Sequence, residues 1–253
     1  MADSQPIDLM VHSYDFTWKE ETKLYHRAKR EQWDAEALPW ELGTALDPIQ
    51  RAAGAQVLSN FLYGEQAAML IASQLVSQVR DIEVRACLAT QVMDEIRHIE
   101  AFSRYIGMLG KVQKPNEHIR EFVERLVAVQ NPEEKFIGLH LLLEGLALEV
   151  FHEAAQRIAD PLLKEMLNKT AHDESRHIAF GTIYLKKLIG ELDEETKAQL
   201  VTRHTKYSML LVGLVIDEAE TSAQFGLDLA KITERNISGH LRRMEEIGLW
   251  KEA

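Results

Sequence analysis

Asp94-Glu95-Ile96-Arg97-His98 recurs, with one change, as Asp173-Glu174-Ser175-Arg176-His177. Each copy holds Glu-x-x-His. On a helix, residues three apart lie one above the other on the same face. A carboxylate and an imidazole therefore point the same way, as two ligands of one ion must.

The spacing extends the repeat. Glu95 to Glu174 is 79 residues, and so is Glu65 to Glu144. Both of the earlier glutamates sit in apolar stretches, Phe61 to Met69 and Leu141 to Leu148. The chain thus reads Glu then Glu-x-x-His, twice, as a duplicated helix pair. Two such pairs predict a four-helix bundle whose interior carries Glu65, Glu95, His98, Glu144, Glu174 and His177. A Glu from each of two helices and a Glu-x-x-His from each of two more is the donor set of a dinuclear iron or manganese carboxylate site.

A single Glu-x-x-His is a common coincidence on a helix, and Glu149-Val150-Phe151-His152 is one. Two copies with matching flanks, each preceded at equal distance by a Glu in an apolar helix, are not so easily had by chance. Buried ionised carboxylates are costly unless paired or metal-bound. The competing reading, a solvated charged face, leaves the apolar surroundings of Glu65 and Glu144 unexplained.

Composition narrows the class. The chain has 253 residues, 46% hydrophobic, with 6 Pro and 13 Gly. Breakers are few and β-branched runs are absent, so an all-α fold is expected. It is read as one ferritin-like domain over 1–253, the bundle core at about 47–190. The net charge of −11 and the lack of a basic stripe argue against nucleic acid and anionic membranes as partners. The lone Cys87 forms no intrachain disulfide and fits a reducing compartment. The longest apolar run, Met209 to Ile216, is too short for a transmembrane segment. With no apolar leader seen, a cytoplasmic location is expected.

Along the chain, residues 1 to about 17 read as a polar arm and Trp18 to Glu36 as a charged helix. Asp47-Pro48 opens the first bundle helix, Asp as cap and Pro as first residue. Asp81 caps the second, which ends near Gly110. After the loop Lys111 to Asn116, a short amphipathic helix spans His118 to Val129. Asn131-Pro132 opens the third bundle helix and Asp160-Pro161 the fourth. A fifth long helix runs from Asp193 to about Phe225, and a last one from Asp228 to Glu246.

Oxygen and imidazole donors without thiolates suit iron or manganese rather than structural zinc. Glu95 and Glu174 are the expected bridges, and Glu65 and Glu144 the terminal carboxylates. A ligating His donates its other N–H to an outer carboxylate. Asp94 and Asp173 stand ready for this, and crosswise pairing is expected: Asp173 with His98, Asp94 with His177. Arg97 and Arg176 would pair with those acids; the plainer reading is helix-surface charge, which the repetition disfavours. His140, one turn before Glu144, is either an outer partner or a seventh ligand. Tyr105 and Tyr184, each seven residues after a motif His, are read as core residues.

These motifs, with Gly64-Glu65-Gln66-Ala67-Ala68, resemble the ferritin-like di-iron carboxylate superfamily, in particular the hydroxylase subunits of methane and toluene monooxygenases. Residues 28–40, with Trp33, are similar instead to the ribonucleotide reductase small subunit and its relatives, the ligand-binding oxidases. The resemblance covers roughly residues 28–190. It implies that Trp33, Asp173 and His98 form the start of an electron route. The chain also departs from these patterns. Phe102 stands where the reductase has its radical tyrosine, a position that is Phe in a manganese/iron subclass. The tyrosine–valine crosslink of the ligand-binding oxidases would fall at Ala68 and Leu139, which cannot form it. The hydroxylase threonine is Leu148 here.

The resemblance implies two metal ions per chain, a di-iron pair or alternatively manganese/iron, with O₂ as co-substrate and an external electron donor. The reading is an oxidase or monooxygenase, with a radical-generating subunit or a ferritin-like iron store as alternatives. Phe61, Ala68, Met69, Leu141 and Leu148 are expected to line a pocket beside the ions. Apolar lining predicts a lipophilic small-molecule substrate. A homodimer is expected.

Overall fold

The structure is a computed structural model that describes residues 20–250. Its described residues form helices joined by short connections, and none forms a strand. The helices are α1 (Glu20–Arg30), α2 (Pro48–Gln78), α3 (Ile82–Leu109), α4 (Glu117–Ala128), α5 (Pro132–Phe136), a π-helical segment (Ile137–Leu143), α6 (Glu144–Arg157), α7 (Pro161–Gly190), α8 (Glu194–Asp217), α9 (Ala219–Phe225) and α10 (Leu229–Glu246). No helix among the described residues is long and apolar enough to cross a membrane.

Caps set the starts of the bundle helices. Asp47 accepts from the backbone of Ile49 and Gln50, and Gln50 accepts from Asp47 N in return, a capping box with Pro48 as first residue. Asp81, Asn131 and Asp160 cap α3, α5 and α7 in the same way, each through its side-chain oxygen. Asp160 does more. Its Oδ2 also accepts from Tyr105 Oη (2.9 Å), Thr44 Oγ1 (3.0 Å) and Ala45 N (2.7 Å), which ties the chain before α2 to the start of α7.

α2 packs on α3 and α6 on α7, so each half of the duplication is an antiparallel pair. One contiguous buried cluster, from Ala35 to Leu249, joins the pairs to the outer helices. α1 lies across α3 and α7, α4 meets α8, and α10 covers α6.

Three elements differ from the sequence reading. The first helix stops at Arg30 rather than Glu36; Trp18 and the amino-terminal arm lie outside the described residues. The chain leaves the helix so that Trp33 can reach Asp173, and Asp34 then caps a short 3₁₀ turn. The fifth long helix breaks at Glu218, and the turn lets Phe225 of α9 seat on α2 at Gly54. A Cβ on Gly54 would lie 2.7 Å from the Phe225 ring, so this contact needs glycine.

The third difference is the π segment inside the third bundle helix. A π turn spends one more residue than an α turn and shifts the register of the residues after it. Before it, Glu134 bonds Arg203 and Tyr207 of α8, and the buried Lys135 bonds Gln74 and Val127 O. After it, Glu144 faces the bundle interior. The extra residue lets one helix face both ways.

Candidate metal centre

α2, α3, α6 and α7 each deliver one glutamate to the bundle axis, and α3 and α7 add a histidine one turn on. None of Glu65, Glu95, His98, Glu144, Glu174 and His177 is more than 4% exposed. His98 aims Nδ1 at Glu65 Oε2 (3.1 Å), Glu95 Oε2 (3.2 Å) and Glu174 Oε1 (3.3 Å). His177 aims Nδ1 at Glu174 Oε2 (3.3 Å), Glu95 Oε1 (3.5 Å) and Glu144 Oε1 (3.7 Å). Two donor sets result: Glu65, Glu95, His98 and Glu174, and Glu95, Glu144, Glu174 and His177. Within each, the donor atoms all lie within 4.8 Å of one another. Glu95 and Glu174 belong to both.

The far nitrogens bond crosswise, as expected. His98 Nε2 lies 3.3 Å from Asp173 Oδ2, and His177 Nε2 lies 3.1 Å from Asp94 Oδ2. Arg97 donates to Asp94 and to Asp173 (3.1 Å), and Arg176 donates to both acids at 2.7 Å. Two acids and two bases thus form a closed, buried quartet. Trp33 Nε1 donates to Asp173 Oδ2 at 2.8 Å, and its ring lies under the Arg97 guanidinium, 5.2 Å away.

Electrostatics expose what the cluster lacks. Burial lifts the Glu65 and Glu144 carboxyls well above the usual range, and the neighbouring charges of Glu174 and Glu95 add to it. Burial alone would lower His98 and His177, but the surrounding carboxylates carry both well above the ordinary imidazole range. Burial also opposes the charge on Asp173 and Asp94, yet the hydrogen bonds from His98 and His177 hold both acids low. Without an ion the centre keeps protons on groups that ligate only when deprotonated. Glu144 Oε2 is buried with no hydrogen-bond partner. Oxygen and imidazole donors, a surplus of buried carboxylate and an orphaned oxygen all fit divalent cations.

Two further residues complete the surroundings. Gln91, one turn before Glu95 and 1% exposed, donates through Nε2 to Glu95 Oε1 (3.2 Å) and to Glu144 Oε1. Its own Oε1 lies 3.0 Å from His140 Nε2. His140 is therefore outside both donor sets and meets Gln91 instead. Gln91 escaped the sequence reading, although a polar residue four before a ligand on its helix face was the signal available.

A small cavity of about 20 Å³ opens beside Glu65, Glu95, Glu144 and Glu174, walled by Phe61, Gly64, Ala68, Leu143 and Ala147. Phe61 and Ala68 line it as expected. Met69, Leu141 and Leu148 do not: each projects from another face of its helix, and Leu143 and Ala147 take their place. A second cavity of about 60 Å³ shares Phe61, Gly64 and Leu143 and continues outward between α2, α6, α8 and α10. Its other walls include Val57, Leu146, Val150, Leu214 and Ile232. The Glu149–His152 coincidence lies elsewhere: Glu149 bonds Arg235, as does the buried Glu153, and His152 is exposed. Tyr105 bonds Asp160, and Tyr184 packs on Phe136 and Phe180.

No curated protein matches the chain. Among solved structures it is similar to a variant R2-like ligand-binding oxidase with an anaerobically reconstituted Mn/Fe cofactor, at 23% identity and a TM-score of 0.78, covering 94% of this chain and 96% of that one. A second variant of such an oxidase, also with Mn/Fe, aligns at 23% identity and a TM-score of 0.76 over 92% and 94% of the two chains. A third, with a non-activated Mn/Mn cofactor, gives 23% and 0.76 over the same shares. These likenesses establish the fold. Residues 40–192 match the family model described as methane/phenol/alkene hydroxylase. The match spans more than half of the chain and takes in every residue of both donor sets, so the chain belongs to the methane/phenol/alkene hydroxylase family of ferritin-like di-metal carboxylate proteins.

Proposed function

We propose that this protein holds two metal ions and uses them, with O₂, to oxidise a lipophilic small molecule. Glu65 and His98 would hold one ion and Glu144 and His177 the other, while Glu95 and Glu174, which belong to both donor sets, would serve both. The observation that carries this reading is the pair of overlapping, fully buried donor sets with two shared glutamates. Family membership and the Mn/Fe cofactors of the similar structures support it. The ion pair is manganese/iron or di-iron.

The bound ions would supply redox equivalents and an exchangeable coordination position for oxygen. The chain's own residues do the rest. Asp94 and Asp173 fix each imidazole with Nδ1 facing inward. The hydrogen-bonded series Trp33–Asp173–His98 gives an electron donor a path inward from a half-buried ring. The inner cavity has room for a water-sized molecule. The outer cavity, walled mostly by aliphatic side chains with Asn60, Ser222 and Glu218 as its polar members, suits an apolar chain or ring. No charged group besides Glu218 lines it, which disfavours a polar substrate.

The test combines metal loading and ligand capture. Protein reconstituted with Mn(II) and Fe(II) in air should carry two ions per chain and consume O₂. Mass spectrometry of what the denatured protein releases should find a lipophilic molecule or its oxidised product. Two bound ions with no oxygen uptake under reducing conditions would defeat the oxidase reading.

A further inference from the structure

The duplication is symmetric in its ligands but not in what surrounds them. Gln91 has Thr170 as its counterpart 79 residues on, and His140 has Phe61 as its counterpart 79 residues back. The Gln91–His140 pair therefore has no counterpart in the other half; apart from Glu95, which both donor sets share, the only candidate ligand it bonds is Glu144, a member of one set. The Thr170 hydroxyl is buried without a hydrogen-bond partner. Glu65 takes its hydrogen bond from His98 instead of from an amide.

The hydrogen bonds of the pair fix its orientation. The Gln91 NH₂ faces oxygens of Glu95 and Glu144, which would both be acceptors once deprotonated as ligands. The amide oxygen then points at His140. Burial and the neighbouring His177 push the His140 pKa down to about 3, so its imidazole is neutral and has one N–H. Nε2 lies 3.0 Å from Gln91 Oε1. Nδ1 makes a close approach to Phe136 O at 3.2 Å.

His140 is itself immobile. It lies in the π segment, stacks on Phe136 at 5.0 Å and meets Phe180 edge-on at 5.7 Å. α7 comes so close that a Cβ on Gly181 would lie 2.4 Å from His140 Cβ. π turns gather at functional sites because they re-aim side chains. This one aims an imidazole at an amide that holds Glu144 by one oxygen and leaves the other without a protein donor.

We propose that Gln91, held by His140, is a positioning residue that sets the carboxylate of Glu144 and so makes the two ion positions chemically unequal. Rotation of that carboxylate breaks its bond to the amide, so Glu144 meets its ion in one orientation. Glu65 has no such brace and is free to change its mode of binding. The inference rests on Glu144 being a ligand, as proposed above.

Metal-stripped full-length protein is titrated with Mn(II), with free Mn(II) read by electron paramagnetic resonance. The wild-type chain should bind two ions. Gln91→Met keeps the stem and removes both polar groups. It should leave one ion at wild-type affinity and weaken the other by roughly 10- to 100-fold, as for other outer-shell partners. His140→Leu should weaken the same ion less, and the double variant should be no worse than Gln91→Met, since residues in one network are not additive. Thr170→Val, the counterpart change, should leave both ions as they are. Gln91→Asn withdraws the amide by one methylene and carries the test if Gln91→Met does not fold. Unchanged binding in the Gln91 variants, or equal weakening of both ions, overturns the brace. Fewer than two ions on the wild-type chain overturns the metal centre itself, and with it the brace.

Discussion

Asp94 bonds His177 across the bundle, Oδ2 to Nε2 at 3.1 Å, and not the His98 that shares its own helix. Asp173 does the converse at 3.3 Å. Each Glu-x-x-His is thus oriented by the other copy, and neither half can set its imidazole alone. Asp173→Asn should keep the helical content and reduce metal affinity or oxygen turnover by about 10- to 100-fold. Circular dichroism with a metal titration checks both parts. Trp33→Phe, which removes the 2.8 Å donor to Asp173, should slow reduction of the metal centre without altering ion content; unchanged kinetics would leave Trp33 a packing residue.

The proposed bridging and terminal roles can be told apart by metal content. Glu95→Ala and Glu174→Ala each strip a donor from both sets and should lose most of both ions. Glu65→Ala and Glu144→Ala each strip one set and should lose mainly one ion. Metal analysis by inductively coupled plasma mass spectrometry decides, and full metal content in the Glu95 and Glu174 variants would refute the ligand assignment.

Ion binding should expel protons. Glu65 and Glu144 have raised pKa values in the ion-free centre, and His98 and His177 also hold protons well above their usual range. All four must deprotonate to ligate. Apparent affinity should therefore climb as pH rises through the neutral range. Calorimetry in buffers of different ionisation enthalpy measures the released protons; binding without release would contradict the burial argument.

Ala68→Phe should fill the inner cavity of about 20 Å³. Two ions should still bind, while oxygen turnover and capture of a lipophilic molecule fall. If turnover is untouched, oxygen and substrate meet the ions from another side.

A separate pH effect belongs to α8 and α10. His204 and His240 stack at 4.7 Å with their Nε2 atoms 2.7 Å apart, and His240 Nδ1 approaches Leu141 O at 3.3 Å. Burial lowers His204 to about 3 and His240 to about 4, and each neighbouring base adds to the effect. Both are neutral in the fold, whereas unfolded histidine takes a proton near pH 6.5. Their contribution is intact above about pH 6.5 and is lost as pH falls toward about 4, because there the unfolded chain binds more protons. His240→Gln should flatten stability against pH in that window. Denaturant melts at several pH values would show it, and an unaltered slope would refute it.

The buried donor cluster and helix order were legible because both rest on strict local rules. Three-residue spacing fixes a helix face, and Asp-Pro and Asn-Pro fix helix starts, so Glu95, His98 and the caps at Asp47 and Asp160 stand where the sequence puts them. The crosswise acids were legible because a duplication implies a pseudo-twofold. The features that eluded the sequence depend on contacts between distant segments. The early end of α1 comes from Trp33 meeting Asp173, 140 residues away. Gln91 gains its role only beside His140 and Glu144. The pocket walls at Leu143 and Ala147, rather than Leu141 and Leu148, depend on which way each helix is turned about its axis, and no spacing rule sees through a π turn.

That turn also loosens a constraint on how the chain can change. In an unbroken α-helix each residue inserted or removed swings everything beyond it by about 100°. Between Phe136 and Glu144 the extra residue is already absorbed, so the outer end of the helix, gripped by α8 through Glu134, and the inner end, where Glu144 joins the buried donor cluster, answer to separate demands. Removing one residue from Ile137–Leu143 would take up the extra residue and restore α geometry with Glu144 still on the axis and the Asn131 cap in place. The first half has no such joint, since α2 runs unbroken from Pro48 to Gln78. Substitutions that refit the surface at α8 are therefore free to accumulate without disturbing Glu144, while those at the outer end of α2 are felt directly at Glu65.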